Sequence, residues 1–228
     1  MMKFVIEHIN DCNKYIFNTI EDIINYNDTS YNHTIITCKF ESGNNKITSL
    51  PKSLLNMYTC LQKFECEHNR LTELPDLPFS LIELDCGVNE LTLLPELPKS
   101  LKRIWCDNNQ LQSLPELPKC LEKIWCHHNN LKSLPKLYDL INELNCSNNQ
   151  IDEIMSIPKS LEIFYCYNNQ LKSLPNLPDS IKELYCAYNK IKILPELPNS
   201  LESISCNDNL LYNRKNYKYK YLRIIIFL

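Results

Sequence analysis

The stretch LKRIWCDNNQLQSLPELPKC, Leu101 to Cys120, decides the reading of the chain, because a shift of twenty residues lays most of the sequence onto itself. The unit opens with Leu61, Leu81, Leu101, Leu121, Ile141, Leu161, Ile181 and Leu201. Three places on stand Phe64, Leu84, Ile104, Ile124, Leu144, Phe164, Leu184 and Ile204, and two beyond them an unbroken cysteine series from Cys66 to Cys206. Asparagine holds the ninth place from Asn69 to Asn209, and an aliphatic residue the eleventh from Leu71 to Leu211. Apolar places one, four and six describe a short strand with one buried face. The second half of each unit carries proline, typically in pairs such as Pro75 with Pro78 and Pro115 with Pro118. Proline removes amide donors and holds the residue before it extended, so the return of each turn is expected to be polyproline-like and not helical.

The pattern L-x-x-L-x-L-x-x-N-x-L, with cysteine in the third apolar slot, is that of leucine-rich repeats. With the LPxLPxS half, as in Leu74 to Ser80, it resembles the short repeats of bacterial effectors of the YopM and IpaH type. Similar chains rich in asparagine, isoleucine, lysine and tyrosine occur in giant DNA viruses. The resemblance implies a right-handed horseshoe solenoid of the α/β class, with a parallel sheet on the concave face and an extended convex side. Residues 37–211 are expected to form one degenerate and eight regular repeats, residues 1–36 an N-terminal cap, and residues 212–228 a C-terminal cap or tail. The degenerate repeat is read from about Thr37, with Phe40, Asn45 and Ile47 in the fourth, ninth and eleventh places and a four-residue excess before Leu61. In the cap, Lys3 to Ile9 suits a strand, and Ile16, Phe17, Ile20, Ile23 and Ile24 share one face of a helix over Tyr15 to Ile24. Tyr138 and Met155 interrupt the proline pattern in two consecutive returns, where a local irregularity is expected.

A net charge of −3 over 228 residues supplies no positive field to gather phosphates, which argues against a general affinity for nucleic acid. The exception is the tail after Leu211, YNRKNYKYKYLRIIIFL, whose basic and aromatic residues suit an RNA contact or a capping strand. No apolar run reaches the roughly 20 residues of a membrane span, and the start resembles no signal peptide. Adjacent strands stand about 4.8 Å apart with parallel side-chain vectors, whereas a disulfide brings its Cβ atoms to about 3.8 Å. The cysteine column is therefore read as buried free thiols in a reducing, cytoplasmic setting (the host's, for a viral protein).

Catalysis is not expected. Inward thiols are inert, the two glycines make no phosphate loop, and Cys126, His127 and His128 alternate faces and so do not converge on a metal. No cofactor follows from the sequence. The IpaH type carries a ubiquitin-ligase domain after its repeats, and the residues after Leu211 leave no room for one. What varies between units is more telling. The fifth place reads Glu65, Asp85, Trp105, Trp125, Asn145, Tyr165, Tyr185, Ser205, the third includes Arg103 and Lys123, and the seventh includes His127 and Tyr167. Trp105 and Trp125 are the protein's two tryptophans, and they recur at one place in consecutive units. Tryptophan, tyrosine and arginine are the residues enriched at interaction hot spots, and the alternative is cross-strand packing that keeps the sheet dry. The expectation is a non-catalytic module binding a protein on this face. Its partner would offer acidic and apolar groups to Arg103, Lys123 and the aromatic rings. A ubiquitin-transfer adaptor, with the N-terminal segment docking a ligase component, is the rival reading.

Overall fold

A computed structural model describes residues 3–8, 14–17, 35–41, 46–52, 54–55, 58–212 and 225–227, with side chains described within 46–212. The chain divides into two compact units, Met1–Leu111 and Gln112–Leu228.

The first unit holds β1 (Lys3–His8), β2 (Lys14–Phe17), β3 (Ile35–Glu41), β4 (Lys63–Glu65), β5 (Glu83–Asp85) and β6 (Arg103–Trp105). Strands β3 to β6 run parallel and one repeat apart, Phe64 opposite Leu84 and Leu84 opposite Ile104. The second unit holds β7 (Lys123–Trp125), β8 (Glu143–Asn145), β9 (Ile163–Tyr165), β10 (Glu183–Tyr185), β11 (Ser203–Ser205) and β12 (Ile225–Phe227), again in parallel sequence order. Within each unit the repeat strands, β4 to β6 in the first and β7 to β11 in the second, thus stack in the manner of a leucine-rich-repeat solenoid. In each the central residue is buried and the one after it half-exposed, as the period of two requires. Places one, four, six and eleven are buried throughout β4 to β11, and burying each large aliphatic or phenyl group contributes about 1.5 to 3 kcal/mol.

Beyond the strand, every repeat turns through a left-handed residue at the eighth place. His68, Val88, Asn108, His128, Asn148, Asn168, Tyr188 and Asp208 have φ between 51° and 57°. Asparagine, aspartate and histidine tolerate that region best, which accounts for six of the eight; Val88 and Tyr188 occupy it at a steric cost. The returns contain no helix among the described residues. Each closes in a turn in which the amide opening the next repeat donates to the eighteenth residue, as from Leu81 to Pro78 at 3.1 Å and Ile181 to Pro178 at 3.2 Å.

The expected irregularity is smaller than the lost prolines suggest. Tyr138 keeps the turn, accepting from the Ile141 amide at 3.1 Å, because the acceptor is a backbone carbonyl that any residue supplies. What changes is the surface, with Leu140 exposed where serine usually stands and Met155 83% exposed. The four-residue excess before Leu61 is absorbed by two successive turns, Leu54 to Pro51 and Tyr58 to Leu55, which tuck Leu54, Leu55 and Tyr58 into the core.

Two expectations at the N-terminus need correction. Tyr15, Ile16 and Phe17 belong to β2, antiparallel to β1, and not to the first turn of a capping helix; residues 18–24 lie outside the described residues. A short apolar run satisfies either period, and the antiparallel partner decides it. Lys3 to His8 is a strand as expected, and it pairs antiparallel with β3, so that edge of the parallel ladder meets antiparallel strands. The register of the degenerate repeat is also shifted. Cys38, not Phe40, stands opposite Phe64, while Ile47 takes the eleventh place and its amide donates to Asn69 Oδ1 at 3.1 Å. The chain from strand to eleventh place is two residues longer there than in a regular unit, and a shift of two leaves the pleat unchanged. The basic tail over 213–224 lies outside the described residues.

Candidate functional site

The repeated polar residues are spent on the backbone. Asn89 donates through Nδ2 to the carbonyls of Cys66 (3.0 Å), Cys86 (3.1 Å) and Gly87 (3.2 Å), while its Oδ1 accepts from the Leu71 amide at 3.0 Å. Asn189 repeats the set with Cys166, Cys186, Ala187 and Leu171. One buried amide side chain thereby uses its donors and its acceptor on groups that leave the ladder where the strand ends, and ties each repeat to the one before. A second column does the same at the other end of the strand. Ser80, Ser180 and Ser200 donate through Oγ to the carbonyls of Leu61, Leu161 and Ile181, each at 2.7 Å. Sequence reading missed this serine role and the left-handed eighth place. The signal for both was present in the LPxLPxS half and in the run of Asn, Asp and His at place eight.

The cysteines of the sixth place are buried thiols. Burial pushes the thiols of Cys86, Cys106 and Cys166 well up from their ordinary range and that of Cys146 to about 12, so at neutral pH they are protonated and unreactive. Cys126 is buried with Sγ on the Asn145 carbonyl at 3.4 Å, while His127 and His128 pack ring to ring at 5.5 Å and His128 is exposed.

The strand face of the first unit is ionic. Lys63 pairs with Glu65 at 2.7 Å and approaches Glu83 at 3.9 Å, and Arg103 bonds the other oxygen of Glu83. Asp85 accepts from the Gly87 amide at 3.2 Å. Burial raises its carboxyl to about 6, the Gly87 bond opposes this, and the charges of Glu67, Asp107 and Glu65 add to the rise. Gly87 leaves room for a neighbour, since a Cβ there would stand 3.2 Å from Asp107 Oδ1. Trp105 is half-buried at the same place of β6.

The strand face of the second unit is aromatic. Glu143, nearly buried, accepts from Lys123 Nζ on one carboxylate oxygen and from Trp125 Nε1 on the other, both at 2.7 Å. The Trp125 ring meets His127 edge-on at 6.1 Å. Tyr165 and Tyr185 stack with centroids 4.8 Å apart and planes 11° apart, and Tyr167 stands half-buried beyond them. Burial and the charge of Glu183 push the Tyr165 hydroxyl up, with lesser contributions from Tyr185, Glu143 and Tyr167. Lys123, Trp125 and His127 are thus brought together, as are Tyr165 and Tyr185, whereas Arg103 and Trp105 belong to the first unit. Both cations expected to reach for a partner's carboxylates are engaged by carboxylates of this chain, because the repeat sets an acid one strand away at the same place.

Solved structures share this fold. YopM from Yersinia enterocolitica WA-314 matches with a TM-score of 0.71 and 33% identity over 76% of this chain and 38% of its own. A Shigella effector leucine-rich-repeat domain matches with a TM-score of 0.63 and 30% identity over 77% of this chain and 84% of that one. The chain belongs to the leucine-rich-repeat proteins. InlJ from Listeria monocytogenes, whose functional domain includes a cysteine ladder, is a third such protein, 26% identical with a TM-score of 0.67 over 82% of this chain and 42% of its own. This leucine-rich-repeat protein therefore spans less than half the length of that YopM structure or of the InlJ one. No family model matches the sequence, and no curated protein does. The link to giant viruses drawn from composition finds no support among these neighbours. The fold is that of protein-interaction modules, and among the described residues no helix is long and apolar enough to cross a membrane.

Proposed function

We propose that this leucine-rich-repeat protein is a non-catalytic interaction module that holds a protein partner on its outward strand face, the side the repeat makes concave. The observation that carries the reading is the Tyr165–Tyr185 pair, two half-buried rings stacked at 4.8 Å on positions that no rule of the repeat requires to be aromatic. Their strands are held from below by the buried columns and at both ends by the asparagine and serine bonds. Such a surface loses little conformational freedom when a partner covers it. Trp125, Lys123, His127 and Tyr167 extend it within the second unit, and Trp105 with Arg103 offers the same residue types in the first.

The test is cross-linking and mass spectrometry of complexes formed by the full chain, compared with Tyr165→Ala/Tyr185→Ala and with Trp105→Ala/Trp125→Ala. The expected result is that cross-links map to the strand face and that the tyrosine pair variant loses its partner while its denaturant midpoint moves little. Unchanged capture by both variants, with stability lowered, would make the aromatic column packing and overturn the proposal.

A further inference from the structure

We propose that the strand face of the second unit receives an arginine side chain of its protein partner, stacked on Tyr185 with its guanidinium paired to Glu183. This deepens the strand-face reading and rests on it. The starting point is a charge account that runs opposite to the sequence expectation of an acidic partner. Arg103 is bonded to Glu83 and Lys123 to Glu143, and Glu143 has both carboxylate oxygens occupied. Glu183 differs from these. Its register neighbours at the third place are Ile163 on β9 and Ser203 on β11, neither of them charged, and it forms no ion pair among the described residues. It is half-exposed, on the same face as Tyr185 two residues on, at a separation of about 6.5 Å along the strand.

The shape beside it suits the same guest. Tyr185 stacks on Tyr165 on one side, and on the other its register neighbour is Ser205. The face therefore drops from a bulky column on β10 to the small Ser203 and Ser205 on β11. A planar group can lie in that step against the ring and reach Glu183 from there. An aromatic face attracts cations, and a guanidinium both stacks on a ring and forks two N–H groups toward a carboxylate. An ammonium offers neither a plane to stack on the ring nor a fork for the carboxylate, and a carboxylate would meet Glu183 and the ring face with repulsion. The local field has the sign this requires, since Glu183 and Glu143 both act on the Tyr165 hydroxyl as negative charges.

The experiment is selection of random linear heptapeptides, displayed on phage, against the full chain, followed by affinity measurement with synthetic peptides. The expected result is enrichment of arginine. Citrulline in its place, Glu183→Gln in the protein, or Tyr185→Ala should each weaken binding roughly tenfold or more, with the denaturant midpoint of Glu183→Gln unchanged. Arginine peptides whose affinity is unaffected by Glu183→Gln would overturn the assignment. Selection of acidic or neutral peptides that nonetheless need Tyr165 and Tyr185 would also overturn it and leave the binding face standing. Selected peptides indifferent to both tyrosines would remove the face and the assignment together.

Discussion

Phe164 and Tyr165 are neighbours on a three-residue strand, yet they answer to different constraints. Phe164 points into a column that is apolar in every repeat and fully buried, and the cysteine two places on is buried with it. Tyr165 points outward into a column that reads Glu, Asp, Trp, Trp, Asn, Tyr, Tyr, Ser. The inner column and the asparagine edge are uniform because each repeat must present to the next the same volume and the same backbone partners. The outer column is held only by its immediate neighbours. It differs even between the two units, ionic in the first and aromatic in the second. Changes to the uniform set should therefore cost stability wherever they fall, and changes to the outer set should alter binding or pH response with little loss of fold.

The largest effect is expected from Cys146→Asp. A carboxylate placed among fully buried apolar columns has no cation to pair with, and the variant should lose several kcal/mol or fail to fold, whereas Cys146→Val should be near neutral. Thiol titration supplies the companion measurement. The repeat cysteines should react only on unfolding, with the half-buried Cys60 and Cys120 ahead of them. Rapid native reaction of the whole set would break the distinction between inner and outer residues.

Next comes the asparagine edge. Asn169→Ala leaves the amide of Ile151 without its acceptor and takes one of two donors from the carbonyls of Cys146, Cys166 and Tyr167, which keep Asn149, Asn189 and the Asn148 amide, and should cost about 1 to 3 kcal/mol in denaturant melts. Gln170→Ala, one residue along and exposed, should cost almost nothing. Equal midpoints for the two would mean that the ladder contributes no stability.

The inner set was legible in the sequence because burial and backbone satisfaction repeat every turn and leave the same residue at the same place. That is why the strands, the cysteine column and the asparagine role could be read directly. The cap was not legible in the same way. Tyr15, Ile16 and Phe17 fit a helix face and a strand equally well, and only pairing with Phe4, Val5 and Ile6 decides. On the outer face the sequence identified the residues and missed their state. Columns alone do not say that Glu83 and Glu143 stand near enough to engage Arg103 and Lys123, which is what turns the expected partner from acidic to basic.

Place eight provides a gain in place of a loss. Val88 is held at φ 52°, where its branched side chain is strained, and at 37% exposed it lies outside the buried columns. Val88→Asn should stabilise by about 1 kcal/mol, seen as a raised denaturant midpoint. Asn148→Val should lose a similar amount. A midpoint unmoved by either change would mean that the eighth place is not left-handed in solution.

The smallest effect is the most diagnostic of the outer face, because it changes with pH and not with packing. Asp85 titrates in the folded chain near 6 against 3.8 for the free side chain, raised first by burial and then by Glu67, Asp107 and Glu65. A carboxyl with a raised folded value binds its proton more tightly when folded, so it opposes folding only where it must ionise. The contribution of Asp85 to stability should therefore be most favourable below about pH 4, fall as pH rises through 4 to 6, and level off above. Since Asp85 stays partly open to water, the fall from this one group should be no more than about 1 kcal/mol. Asp85→Asn removes the charge while keeping the shape and the acceptor for the Gly87 amide, so it should flatten that part of the profile and be slightly more stable than the parent at pH 7. The same substitution should leave melts at pH 4 nearly unchanged. A profile in which Asp85→Asn is less stable at pH 7 would mean that the carboxylate is held by a cation, and that the outer face of the first unit is balanced in charge.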